Sequence, residues 1–99
     1  MNQGPLRILL ADDDDDDQLF FNDAIEEVKV NTKVAIVNNG VELMDYLNQS
    51  DVELQNLIFL DLNMPRKGGI ECLKEIKSNK KFKYISIAIY STSSSQNDI

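Results

Sequence analysis

The chain has 99 residues, 42% of them hydrophobic, which is enough for one small domain with a real core and too little for two. Its net charge is −7, from 17 acidic and 10 basic residues, and that balance argues against general nucleic-acid binding. A single cysteine and no histidine exclude an intramolecular disulfide, a Cys/His zinc site and histidine acid–base chemistry from this chain alone.

Leu6 to Ala11 is a short apolar run that reads as a first strand, and it ends directly in Asp12-Asp13. From about Asp15 to Val28 the spacing predicts a helix with Phe20, Phe21, Ala24, Ile25 and Val28 on one face. Asp14 to Asp17 suit a solvated helix N-terminus, where capping and the helix dipole favour carboxylates. The acidic run lacks the glycine and glutamate of an EF-hand loop, so it does not read as a calcium loop.

Lys33 to Val37 is β-branched and reads as a second strand, followed by the turn and helix-start signal Asn38-Asn39-Gly40. Val41, Met44 and Leu47 then mark a short amphipathic helix. Ser50 to Asn56 is a polar connection, and Leu57 to Asp61 is a third strand. Pro65 to Gly69 forms a loop in which Gly68-Gly69 permit a tight turn. Ile70, Leu73 and Ile76 give a third helix, with Cys72 as a small core residue, running into the basic stretch Lys77 to Lys83. Lys67, Lys80, Lys81 and Lys83 read as solvated. Tyr84 to Tyr90 is an isoleucine-rich fourth strand, Ser91 to Ser95 a polar loop, and Gln96 to Ile99 is compatible with the start of another helix.

Strands alternating with helices predict an α/β fold with a doubly wound parallel sheet, in one domain spanning residues 1–99. The sequence stops just after the fourth strand, where such a domain normally adds another strand–helix unit. The expectation is a chain cut short, with Ile85-Ser86-Ile87-Ala88-Ile89 as an apolar edge inviting self-association. No apolar run approaches a membrane span and the N-terminus lacks a signal-peptide core, so a cytosolic location is expected.

The candidate chemistry lies at the strand ends. Asp12 and Asp13 follow the first strand and Asp61 ends the third, where open α/β sheets bind ligands. Clustered carboxylates are costly unless a cation neutralises them, which points to a hard, oxygen-seeking metal such as Mg2+. Asn63 can offer a backbone carbonyl to that metal. Ser91 and Thr92 follow the fourth strand on the same edge, where a hydroxyl could bond an oxyanion on Asp61.

Three motifs together resemble the receiver domain of two-component response regulators. They are Ile8-Leu9-Leu10-Ala11-Asp12-Asp13-Asp14, then Leu60-Asp61-Leu62-Asn63-Met64-Pro65 with Gly69, then Ile89-Tyr90-Ser91-Thr92. The wording near Asp61 looks most like the stand-alone regulators paired with phytochrome-type kinases. The resemblance implies a flavodoxin-like receiver fold lacking its last strand and helix, with Asp61 as phosphoacceptor. It implies Mg2+ held by Asp12, Asp13, Asp61 and the Asn63 carbonyl, and Ser91 as the switch hydroxyl, with Thr92 in that role if the register slips by one. The implied partners are a histidine kinase or phosphotransfer protein and a downstream protein, with no nucleic acid and no membrane. The implied activity is self-phosphorylation without multiple turnover.

Two departures stand out: the fifth-strand lysine of the family has no counterpart here, and Gly68 sits where Asp or Asn is common. Tyr90 lies too early to match the family's aromatic switch residue. Two rivals follow from the same residues: a pseudo-receiver that binds without phosphorylation, and a Mg2+-dependent aspartyl phosphohydrolase, whose further motif and cap domain are absent.

Overall fold

Short apolar runs and amphipathic stretches alternate along the chain. The computed structural model describes residues 5–49, 55–64 and 66–91. The order is β1 (Leu6–Ala11), α1 (Asp15–Val28), β2 (Thr32–Val37), α2 (Gly40–Leu47), β3 (Leu57–Asp61), α3 (Gly69–Lys77), a 3-10 turn (Lys80–Phe82) and β4 (Ser86–Tyr90). All strands run parallel in one sheet ordered β2-β1-β3-β4. The winding direction reverses at β1, so a crevice opens beyond the carboxyl ends of β1 and β3. Expectations placed on Pro65, on Thr92 and the rest of 92–99, and on most of the 50–56 connection lie outside the described residues.

Alternation along the strands divides the apolar residues between two faces. Leu9, Ala11, Val37, Ile58 and Leu60 cluster with Leu43, Met44 and Leu47 of α2 and with Cys72 and Ile76 of α3. Met64, Phe82 and Ile85 close that core. Ile8 and Leu10 are buried on the opposite face, under α1. Helix starts follow their caps. Asp14 Oδ1 accepts the Asp16 and Asp17 N–H groups at 2.8 and 3.4 Å, and Asn39 Oδ1 accepts the Glu42 N–H at 2.9 Å.

Several expectations need correction. The apolar face of α1 is only partly covered: no residue of the helix is fully buried, and Phe20 and Val28 are 68% and 58% exposed. Phe21 does engage, meeting Phe59 edge-on at 5.0 Å between ring centroids. A helix about 10 Å wide cannot cover four strands spaced about 4.8 Å apart, so only the line directly above the sheet is shielded. In α3 the inward row is Gly69, Cys72 and Ile76, while Ile70 is 47% exposed. The phase is set by Gly69, which must face β3. Leu43, which the pattern left out, is fully buried in α2.

Strand β2 begins at Thr32, one residue early, and β4 begins at Ser86 instead of Tyr84. Asn79 caps the 3-10 turn by accepting the Lys81 N–H, and Ile85 N–H bonds the Phe82 carbonyl, which delays the strand and leaves Tyr84 exposed. In the loop after β3 the left-handed residue is Arg66, at φ 67°, and neither glycine has positive φ. Gly69 serves close approach instead: a Cβ there would lie 2.7 Å from both the Asp61 carbonyl oxygen and Leu62 Cα. A Cβ at Gly68 would meet nothing within 4 Å.

That contrast sets a paired expectation. Gly69→Ala should cost about 1–3 kcal/mol by overpacking against backbone. Gly68→Ser should be neutral or slightly stabilising, because serine is a better helix N-cap. Urea denaturation of both variants checks this, and equal losses would refute the close-approach reading.

Candidate functional site

Asp12 is the first residue past β1 and Asp61 the last of β3, and they reach the crevice side by side because Ala11 pairs with Leu60 in the sheet. Both are fully buried, whereas Asp13 is exposed. The three residues each offer a carboxylate oxygen, and those oxygens lie within 4.8 Å of one another. The structure therefore brings together the acids that the sequence singled out.

Each buried carboxylate is held in place. Asp12 Oδ1 accepts the Asp14 N–H at 2.9 Å, and Asp12 Oδ2 accepts the Tyr90 hydroxyl at 2.6 Å. Asp61 Oδ1 accepts the Asn63 N–H at 2.9 Å. Asn63 then donates from Nδ2 to Ser91 Oγ at 3.0 Å, and Leu62 N–H bonds the Tyr90 carbonyl at 2.9 Å. Ser91 thus sits at the site's rim, linked to the loop after β3. Gln18 supports the first strand end, donating from Nε2 to the Asp12 carbonyl at 2.7 Å and to Asn38 Oδ1 at 2.8 Å.

Two residues of the site were not legible as such. The acidic run predicts a solvated helix start for Asp17. Asp17 is partly buried, and its carboxyl pKa is pushed up to about 6 by desolvation first, then by the charges of Asp12 and Asp14, a hydrogen bond with Asp12 and the charge of Asp61. Its position three residues past the Asp14 cap, one helical turn on, is the signal that could have found it. Tyr90 falls too early in the chain to match the aromatic switch position that the resemblance implies. Its phenol is driven up by burial and by its bond to Asp12, then by the surrounding carboxylates. No local pattern shows that a side chain on β4 reaches past Asp61 to Asp12. Both residues line a cavity of about 460 Å³ with Leu10, Phe21, Phe59 and Ala88.

The donor set is all oxygen, clustered and anionic, with two members removed from water. Such a set fits a hard divalent cation and suits neither a soft metal nor an anion. Away from this cluster, Cys72 is buried, and desolvation raises its thiol above the ordinary range, so it is an inert core residue as expected. Lys67 pairs with Glu75, and that bond raises its ammonium pKa. No helix among the described residues is long and apolar enough to cross a membrane.

Comparison with known proteins agrees with this geometry. Response regulator Rcp1 of Synechocystis is 32% identical over 99 residues, covering 96% of this chain and 67% of Rcp1. The crystal structure of the phosphorylated cyanobacterial phytochrome response regulator RcpA superposes with a TM-score of 0.85 at 36% identity, over 91% of this chain and 67% of RcpA. The Mn2+-bound form of Rcp1 gives a TM-score of 0.85 at 33% identity, over 90% of this chain and 67% of that one. The chain thus spans about two thirds of the length of these relatives, and less of others. The family model of the response regulator receiver domain matches residues 8–99, and the chain belongs to that family.

Proposed function

We propose that Asp61 is the phosphoacceptor of this receiver domain, read as one unit over residues 1–99 that takes a phosphoryl group from a histidine kinase or phosphotransfer protein. The observation that carries this reading is the meeting of the Asp12, Asp13 and Asp61 oxygens within 4.8 Å at the sheet's switch point. We assign Asp12, Asp13, Asp61 and the Asn63 backbone carbonyl to Mg2+. When bound, Mg2+ supplies the positive charge that offsets the carboxylate cluster and the incoming phosphoryl oxygens.

The residues of the chain divide the remaining work. The Asn63 N–H fixes the plane of the Asp61 carboxylate, an oxygen of which attacks phosphorus in line. The P–N bond of a phosphohistidine donor breaks, its electron pair stays with the imidazole, and an acyl phosphate forms on Asp61. Ser91 Oγ accepts from Asn63 Nδ2, so its own proton is available to donate to a phosphoryl oxygen. Thr92 takes this role if the register is shifted by one. The added charge at the strand ends then biases the segment after β4 and changes a protein–protein surface, without multiple-turnover chemistry. The setting we propose is the cytosol, where such phosphotransfer partners operate. A pseudo-receiver, binding without phosphorylation, is the alternative that the first test below separates.

Incubation with acetyl phosphate and Mg2+ should give a single phosphoryl adduct by intact mass, absent from Asp61→Asn and from chelator-treated protein. No adduct, with metal binding intact, would assign the chain to the pseudo-receivers. Asp17 yields a pH expectation for the chelator-treated protein. Its folded pKa near 6 exceeds the ordinary value of 3.8, so the stability present below about pH 4 is lost as pH rises through about 6. Asp17→Asn should therefore raise the melting temperature at about pH 7.5 and match the unaltered protein near pH 4. An equal shift at both values would refute it. The outer edge of β4 has no strand beside it among the described residues, and Ile89 is 48% exposed. The 99-residue chain should self-associate through this edge, and Ile89→Lys should weaken that; a strictly monomeric sedimentation profile at high concentration would overturn it.

A further inference from the structure

We propose that Tyr90 is a positioning residue for the metal-binding carboxylates, its phenol on β4 fixing the Asp12 carboxylate on β1 across the intervening Asp61. This rests on the Mg2+ reading above and deepens it. Three observations carry it. Asp61 and Tyr90 are register partners in the parallel sheet, so their side chains leave on the same face. The hydroxyl donates to Asp12 Oδ2 at 2.6 Å, the short distance of a charge-assisted bond. The other oxygen, Oδ1, is held by the Asp14 N–H at 2.9 Å.

Donors on both oxygens fix the orientation of the buried Asp12 carboxylate. Each carboxylate oxygen has two acceptor directions, so one hydrogen bond on Oδ2 leaves a direction for a cation. A ligand oriented before the metal arrives does not lose rotational freedom when it binds. Tyr90 lines the cavity beside Leu10, Phe59 and Ala88, and these apolar neighbours flank its ring. Tyr90 is also bonded through its carbonyl to Leu62 and precedes Ser91 directly. Metal occupancy is thereby tied to the strand end that carries the hydroxyl.

The test is divalent-ion affinity, by calorimetry with Mg2+ and by paramagnetic resonance with Mn2+. Tyr90→Phe should bind both about tenfold more weakly, the usual cost of losing an outer-shell partner, with an unchanged circular dichroism spectrum. Tyr84→Phe, at an 87% exposed position, should bind normally. Unchanged or tighter binding by Tyr90→Phe overturns the proposal alone, whereas no binding by the unaltered chain overturns the metal reading with it. A second measurement decides the case if Tyr90→Phe does not fold. The chain has three tyrosines and no tryptophan, so Tyr46→Phe with Tyr84→Phe leaves Tyr90 as the sole near-ultraviolet reporter. Mg2+ should shift its absorbance band, and an unmoved band overturns the proposal.

Discussion

Two carboxylates, Asp12 and Asp61, lie fully out of water at the ends of adjacent strands. Like charges so placed repel in a medium that screens them poorly, and the fold must offset that repulsion with donors, protons or a cation. The surroundings of the pair show the first two. The Asp14 and Asn63 amides and the Tyr90 hydroxyl supply donors, and Asp17 retains a proton to about pH 6. An all-oxygen cluster leaves the third role to a hard ion. The loop after β3, the first turn of α1 and the end of β4 are each arranged around this one electrostatic debt.

The fold was legible because the sheet is buried on both faces at its centre. Leu6 to Ala11, broken only by Arg7 near its start, leads straight into Asp12, and Leu57 to Asp61 ends in an acid, so their limits and direction could be read together. Expectations slipped where tertiary contacts outweigh local pattern. Tyr84 has strand propensity, but the Asn79 cap and the buried Phe82 hold the chain in a 3-10 turn before it. Ile70 fits a helical period, yet Gly69 must lie against the Asp61 backbone, and that rotates Ile70 outward. The apolar residues of α1 could be identified, while their degree of cover could not, because cover depends on what else lies on that face.

The site divides along the same line. Asp12, Asp13 and Asp61 announce themselves through position, each at or just past a strand's carboxyl end, and through like charge gathered at one edge of the sheet. Asp17 and Tyr90 join by geometry that spans elements: one turn of helix returns Asp17 over β1, and parallel register sets Tyr90 beside Asp61. Neither residue is unusual in its local context. Resemblance to a family directs attention to shared motif positions, and it says little about residues whose role is to support them.

Gly40 and Gly69 bring peptide groups together with no side chain between. A Cβ at Gly40 would collide with the Lys67 carbonyl, and one at Gly69 with the Asp61 carbonyl. The loop joining the third strand to its helix is therefore clamped at both ends by main chain. Rotamer changes in the core cannot loosen such contacts. Any side chain at these two positions would have to displace main chain, so both glycines serve the shape of the loop and not the chemistry beside it.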